Sequence, residues 1–196
     1  VFLVGLLGAA VVVAVVGVTD ATGFWGSLSG RTQAQLKQAV VRYELAKASM
    51  RPARMIGKKL TRADKAALQT RFLRRLDRYA TGRARSEGDT WDYAAALLED
   101  EWDARELVGV TGRIVYWDDA QKDLQGDVHV KAGVQERHKV VVWDAAANAA
   151  DPAQDWVTGV IVYDYTLREV DGAWKVADSS WWRFYDPNTG ELGTGP

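Results

Sequence analysis

The stretch VIVYDYTLREVDGAWKVADSSWW, residues 160–182, decides the fold. Apolar and polar residues alternate on both sides of Asp171-Gly172, and a period of two belongs to a half-buried strand. Asp-Gly between two such runs signals a two-residue hairpin, because a type I′ turn needs positive φ at both central residues. If Val170 faces Ala173, every residue of one strand acquires a partner and every pair a face. One face is expected to carry Ile161, Tyr163, Tyr165, Leu167, Trp174, Val176, Asp178, Ser180, Trp182 and Phe184. The other is expected to carry Val160, Val162, Asp164, Thr166, Arg168, Lys175, Ala177, Ser179, Trp181 and Arg183. The first face suits a core, so Trp174 and Trp182 read as core rings and Trp181 as a surface ring among polar neighbours. Asp178 then lies opposite Tyr165, where an unpaired buried carboxylate costs several kcal/mol. Either water reaches this end of the sheet, or a Tyr hydroxyl or a helix arginine satisfies Asp178.

Upstream, alternation begins at Leu107. Val108, Val110, Ile114 and Tyr116 are expected along one strand, and Val128, Val130, Val140 and Val142 along a second that is bent or broken. Before them the period is helical. Leu36, Val40, Tyr43 and Met50 outline an amphipathic helix ending before Arg51-Pro52. Thr61 caps a second helix with Asp64 in the box position, Leu68, Phe72, Leu76 and Tyr79 on one face, and Gly82 as its stop. A third helix is expected after Thr90, with Trp91, Ala94, Ala95, Leu98 and Trp102 inward and Glu99, Asp100, Glu101 and Asp103 in its last turn. Acidic groups there oppose the helix dipole, and a basic neighbour would relieve them.

Val1 to Val18 is an uncharged apolar run. As a helix it would reach about 27 Å at ~1.5 Å per residue, close to a hydrocarbon core of about 30 Å. A retained single-pass anchor is the expectation, with a signal peptide as competitor. Phe24 and Trp25 suit the bilayer interface. With neither Met nor a basic flank at its start, the run is expected to follow a further native segment. The division expected is an anchor over 1–18, a flexible joint over 19–30, a basic linker helix over 31–60, an α+β domain over 61–186 and a tail over 187–196.

The formal net charge of −1 conceals a strong asymmetry. Arg31 to Arg85 holds 16 Lys/Arg against three acidic residues, whereas Ser86 onward holds nine against 22. Arg71, Arg74, Arg75 and Arg78 share the polar circumference of the second helix. With Trp181 and Arg183, they are the expected partner-binding residues. Other subunits of a membrane complex or anionic headgroups fit this basic segment, since each basic residue near such a surface contributes about 1 kcal/mol. No aromatic interleaving or binding module accompanies the arginines, so no nucleic acid is expected.

The chain contains no cysteine, which excludes disulfides and thiolate metal sites. His129 and His138, the two histidines, fall on opposite faces of a continuous strand and read as exposed strand histidines, not ligands; no metal and no cofactor is expected. There is no phosphate loop, nucleophile elbow or dinucleotide fingerprint. Asp178, Tyr163 and Tyr165 are the outside candidates for acid–base chemistry on the apolar face, with Asp92 on the third helix beyond them.

Helices followed by an antiparallel sheet that ends in this aromatic-rich hairpin resemble the nuclear transport factor 2-like superfamily, over roughly Thr61 to Asp186. The resemblance implies a cystatin-like α+β cone of helices on a curved antiparallel sheet. Its concave face holds a small molecule in ketosteroid isomerase and the polyketide cyclases, and in other members is filled and used for assembly. Membrane-anchored relatives include small subunits of type IV secretion and conjugation machines and envelope proteins associated with lipid importers. The expected function is therefore a membrane-anchored, non-catalytic accessory subunit or assembly factor, its domain on the extracytoplasmic side of a bacterial inner membrane. The alternative is a small-ligand-binding protein or an isomerase/dehydratase-like enzyme using the concave face.

Overall fold

The computed structural model describes residues 28–48, 60–86, 105–118, 120–144 and 146–193. Among them three helices, α1 (Gly30–Ala48), α2 (Arg62–Leu76) and α3 (Gly82–Ser86), precede eight strands. These are β1 (Arg105–Trp117), β2 (Gln121–Lys122), β3 (Val128–Asp144), β4 (Ala149–Ala150), β5 (Gln154–Val157), β6 (Val160–Val170), β7 (Ala173–Asp186) and β8 (Glu191–Leu192). The fold is α+β, with an antiparallel sheet in the order β1-β3-β6-β7-β8 and β2, β4 and β5 paired to β3 off that path. No helix among the described residues is long and apolar enough to cross a membrane. The Val1–Val18 run, Met50 and the expected third helix with Asp92 lie outside the described residues.

β3 is the axis of the sheet, a continuous strand where a bend or break was expected. Its first half pairs with β6 from Val128↔Leu167 to Gly133↔Val162, and its second half pairs with β5 from Arg137↔Val157 to Val140↔Gln154. Val128, Val130, Ala132 and Val134 share one face of this strand, as the two-residue period requires. Against that inner face pack Leu36, Ala39, Val40 and Tyr43 of α1, forming one core with Tyr165, Leu167 and Val176. The helix lies close on the strands: a Cβ at Gly112 would come within 3.1 Å of Leu45 Cδ2. The stretch set apart as a linker thus supplies much of the packed core, on a stripe broadened by Ala39, Ala46 and Ala48.

The hairpin follows the expected register from Val170↔Ala173 to Leu167↔Val176, with φ of +53° at Asp171 and +74° at Gly172. Beyond that point β7 carries two extra residues, Ala177 and Trp182, so the pairing becomes Thr166↔Asp178, Tyr163↔Trp181 and then Val162↔Arg183. A bulge advances one strand by a residue and thereby exchanges its faces. Ser179 and Trp181 consequently join Tyr165 and Tyr163 on the inner face, while Asp178 and Ser180 pair with Thr166 and Asp164 on the outer one. The second bulge restores Phe184 to the inner face, opposite Ile161. Trp181 and Trp182 therefore exchange faces, although Trp181, at the rim, stays the exposed ring that was expected. Trp182 lies on the outer face, its ring 6.2 Å from that of Tyr116 and bracketed by Lys131 Nζ at 5.0 Å and the Arg183 guanidinium at 5.1 Å. The same device in β1, an irregularity between Ile114 and Tyr116, puts Tyr116 outward and lets Trp117 pack on the core. Tyr116 and the buried Val160 and Val162 crowd over Gly133, whose hypothetical Cβ would lie 2.8 Å from Val160 Cγ1.

Gly172→Val tests the turn in isolation, because no atom lies within 4 Å of the added Cβ and the cost is backbone strain alone. The expected loss is more than about 1 kcal/mol in thermal unfolding. Unchanged stability would contradict the positive φ at this position.

α2 begins at the expected capping box: Asp64 N donates to Thr61 Oγ1 at 3.2 Å and Thr61 N to Asp64 Oδ2 at 3.0 Å. Leu68, Phe72 and Leu76 are buried as expected. The helix stops at Leu76, short of Gly82, because the chain becomes extended to meet the edge of β7. Val176 N donates to Tyr79 O at 2.9 Å and Thr81 N to Val176 O at 2.8 Å, a parallel bridge beside the first bulge. Gly82, at φ +52°, starts α3 where a Cβ would lie 3.0 Å from Ala177 O.

Candidate functional site

The inner face holds a polar cluster at the C-terminal end of α1. Glu44 and Lys47, one helical turn apart, point at the sheet beside Tyr43. The Glu44 carboxylate accepts from Tyr165 Oη at 2.7 Å on one oxygen and lies 2.8 Å from Lys47 Nζ on the other. Lys47 Nζ sits 4.8 Å from the ring centroid of Tyr43 and 4.9 Å from that of Tyr163. Tyr43 Oη and Ser179 Oγ are 3.2 Å apart, a contact that exists only because the first bulge turns Ser179 inward. Next to this cluster, two residues apart on β3, Glu136 Oε2 and His138 Nε2 are 2.5 Å apart and both side chains are buried. A half-open cavity of about 230 Å³ lies between, lined by Glu44, Lys47, Val134, Glu136, Thr158, Gly159, Ile161, Tyr163, Tyr165 and Ser179 among others.

The electrostatics are those of a closed network. Burial by itself would lower the Lys47 ammonium, but the adjacent Glu44 carboxylate, aided by Tyr43 and Tyr163, more than reverses this and holds it above its ordinary value. Burial, followed by the Glu44 charge, pushes the Tyr165 phenol well above its usual range. Both groups thus favour their protonated forms in the folded chain more than in the unfolded chain. Their contribution to stability is complete below about pH 10 and is lost as pH rises through their raised values. Thermal unfolding followed from pH 8 to 12 should fall steeply above about pH 10, and Tyr165→Phe should flatten that fall. An identical alkaline profile in the variant would refute the Tyr165–Glu44 coupling.

Asp178 is not part of this site. It lies on the outer side at the sheet edge, 2.9 Å from Arg83 Nε of α3, so a helix arginine satisfies it, as one of the expected alternatives had it. Tyr163 and Tyr165 are on the inner face, separated from Asp178 by the sheet. His129 is half exposed, with Nε2 2.9 Å from Asp123 Oδ2 and Nδ1 3.2 Å from Thr166 Oγ1. The hydrogen bond from His129 holds the Asp123 carboxyl below its ordinary value. Asp123 also accepts from the backbone N–H of Gln125 and Asp127, so the cluster ties the 123–127 turn to β6. His138 departs from the expected exposed histidine: it shares the inner face with Glu136 and is buried. Among the described residues no group of three or more His, Asp or Glu side chains could hold a metal ion.

Of the expected partner-binding residues, Arg71 and Arg74 are exposed on α2, Arg78 is exposed in the turn after the helix and not on it as expected, Arg75 is half-buried and Arg183 is exposed beside Trp182. Trp181 is 36% and Phe184 53% exposed, their rings 5.5 Å apart at the rim of the inner face. The residues that the sequence reading missed are Glu44, Lys47 and Glu136. Glu44 and Lys47 carried a signal in their i, i+3 spacing on the stripe of Val40 and Tyr43.

No family model matches the chain. No curated protein matches it either. Among solved structures it is similar to the intermembrane space region of the chloroplast protein ARC6, with a TM-score of 0.43 and 14% identity over 80% of this chain and 98% of that one.

Proposed function

We propose that this chain is a non-catalytic accessory subunit, held to a membrane by Val1–Val18 and engaging other subunits of a membrane complex through its α+β domain. The observation that carries this reading is the filling of the inner face. In a ligand-processing α+β cone that surface would be open and lined by a free acid–base pair. In this chain α1 lies across it, and the Glu44 carboxylate has one oxygen bonded to Tyr165 and the other to Lys47. A carboxylate so engaged is a poor general base, and a phenol with a raised pKa is a poor one too. The space beside this network, about 230 Å³, is below the ~300–1,000 Å³ usual for small-molecule pockets, and the second cavity, of about 410 Å³ between β1 and β3, is lined mainly by polar side chains such as Thr111, Arg113, Gln135 and Arg137. The nuclear transport factor 2-like arrangement belongs to the same reading, as does an extracytoplasmic position at a bacterial inner membrane. Both rest on the order of helices and hairpin and on the apolar run.

The exposed arginines of α2 and of the turn after it are the first candidates for contact with an acidic neighbour or anionic headgroups. Reversal of Arg71, Arg74 and Arg78 to Glu should leave thermal stability within about 1 kcal/mol, since exposed charges contribute little to folding. It should abolish recovery of partner subunits or of the peripheral membrane contact, and the wild-type association should weaken along a salt series. Equal recovery of partners by the variant at low salt would refute the role of α2.

A further inference from the structure

The network just described leaves one atom without a partner. Glu136 is 9% exposed, its Oε2 lies against His138, and its Oε1 has no hydrogen-bond partner among the described residues although the side chain lines the cavity. An unpaired buried carboxylate oxygen is costly, and a donor from outside would relieve it. Around the cavity Glu44 and Lys47 pair with each other, whereas the Glu136 carboxylate meets His138 on one oxygen alone. The opposite wall is apolar and aromatic, formed by Ile161 and Tyr163, with Trp181 and Phe184 directly across from them in register and exposed at the rim.

We propose that this cavity is a socket for one arginine side chain presented by a partner protein. Its guanidinium donates to Glu136 Oε1, its methylene stem lies along Val134 and Ile161, and the Trp181–Phe184 pair closes over the backbone that carries it. The proposal rests on the accessory-subunit reading and names what the domain recognises. Arginine suits the site because a guanidinium N–H donates to the one open carboxylate oxygen while the planar face of the group stacks on aromatic rings, and because the volume accommodates a single side chain and not a metabolite.

The test uses the full chain in detergent with 5-fluorotryptophan, the Trp181 resonance being assigned by Trp181→Phe. Titration with N-acetyl-arginine amide should move that resonance saturably in the millimolar range. N-acetyl-norleucine amide should not. Glu136→Gln should weaken the response at least tenfold. Gly159→Met provides a variant that preserves folding, since no atom lies within 4 Å of a Cβ there and the new side chain occludes the mouth; it should abolish the response. No saturable shift, an equal response to norleucine amide, or an undiminished response in Gly159→Met would each overturn the socket. Partner subunits from native membranes should be recovered by the wild type and lost with Gly159→Met. Full recovery with that variant would overturn the socket while leaving the accessory-subunit reading intact, whereas a chain that recovers no partner in any form would overturn that reading together with the socket.

Discussion

Glu44→Ala should lower the stability of the folded chain by about 3–5 kcal/mol, the usual cost of removing one member of a buried ion pair. The carboxylate is 7% exposed and serves two groups, the Lys47 ammonium and the Tyr165 hydroxyl. Its removal strands a cation between two phenol rings and leaves a buried hydroxyl without an acceptor. In a chain of this length the loss corresponds to a fall in Tm on the order of 10 °C. The double variant Glu44→Leu/Lys47→Met should recover the part of it due to the stranded ammonium, because exchanging a whole buried pair for apolar groups of similar volume is often neutral or better. Thermal unfolding of the two variants decides the matter. A mild effect of Glu44→Ala, or a double variant no more stable than the single one, would show that the network is hydrated and not sealed.

Removal of α1 should have the largest effect of all. A chain starting at residue 28 should remain folded and lose the proposed membrane attachment, whereas a chain starting at residue 49 should not fold. Leu36, Val40 and Tyr43 are each fully buried against β3, β6 and β7. Truncating one such side chain costs ~2–5 kcal/mol, and losing the helix together with the cover of the inner face exceeds the ~5–15 kcal/mol that holds a typical domain together. Near-UV circular dichroism and urea titration of the two truncated chains are the measurements. A cooperative transition in the shorter one would return α1 to the linker role read from its sequence.

That contrast shows which signals were legible. The capping box of Thr61 and Asp64, the buried face of Leu68, Phe72 and Leu76, and the Asp171-Gly172 turn were readable because each is a local rule with few competitors. The first four pairs of the hairpin, Val170↔Ala173 to Leu167↔Val176, followed from the turn alone. What failed was propagation. A bulge carries no strong residue signature, and the small Ala177 and the aromatic Trp182 both read as ordinary strand residues. A single undetected insertion reverses every face assignment beyond it, which is how Trp181 and Trp182 changed places and Asp178 left the inner face. The polar cluster was hidden for a different reason. Glu44 and Lys47 are charged residues on a helix rich in Lys and Arg, where solvent exposure is the ordinary expectation. Their burial depends on Tyr165 and Tyr163 arriving from a strand more than a hundred residues later. Glu136 and His138 were closer to detection, because residues i and i+2 of a strand share a face and Val134 marks that face as the inner one.

The bridge from Tyr79–Thr81 to Val176 has a consequence for how copies of this chain coexist. β7 borders the sheet, and an open strand edge invites pairing with the same edge of another molecule. At one end that edge is occupied by the segment leaving α2, and at the other β8 pairs with Tyr185 and Asp186. Between them lie Asp178, Ser180 and Arg183, polar and charged groups that disfavour fusion of two sheets. Chains crowded at high local concentration can therefore stand side by side without polymerising through this border.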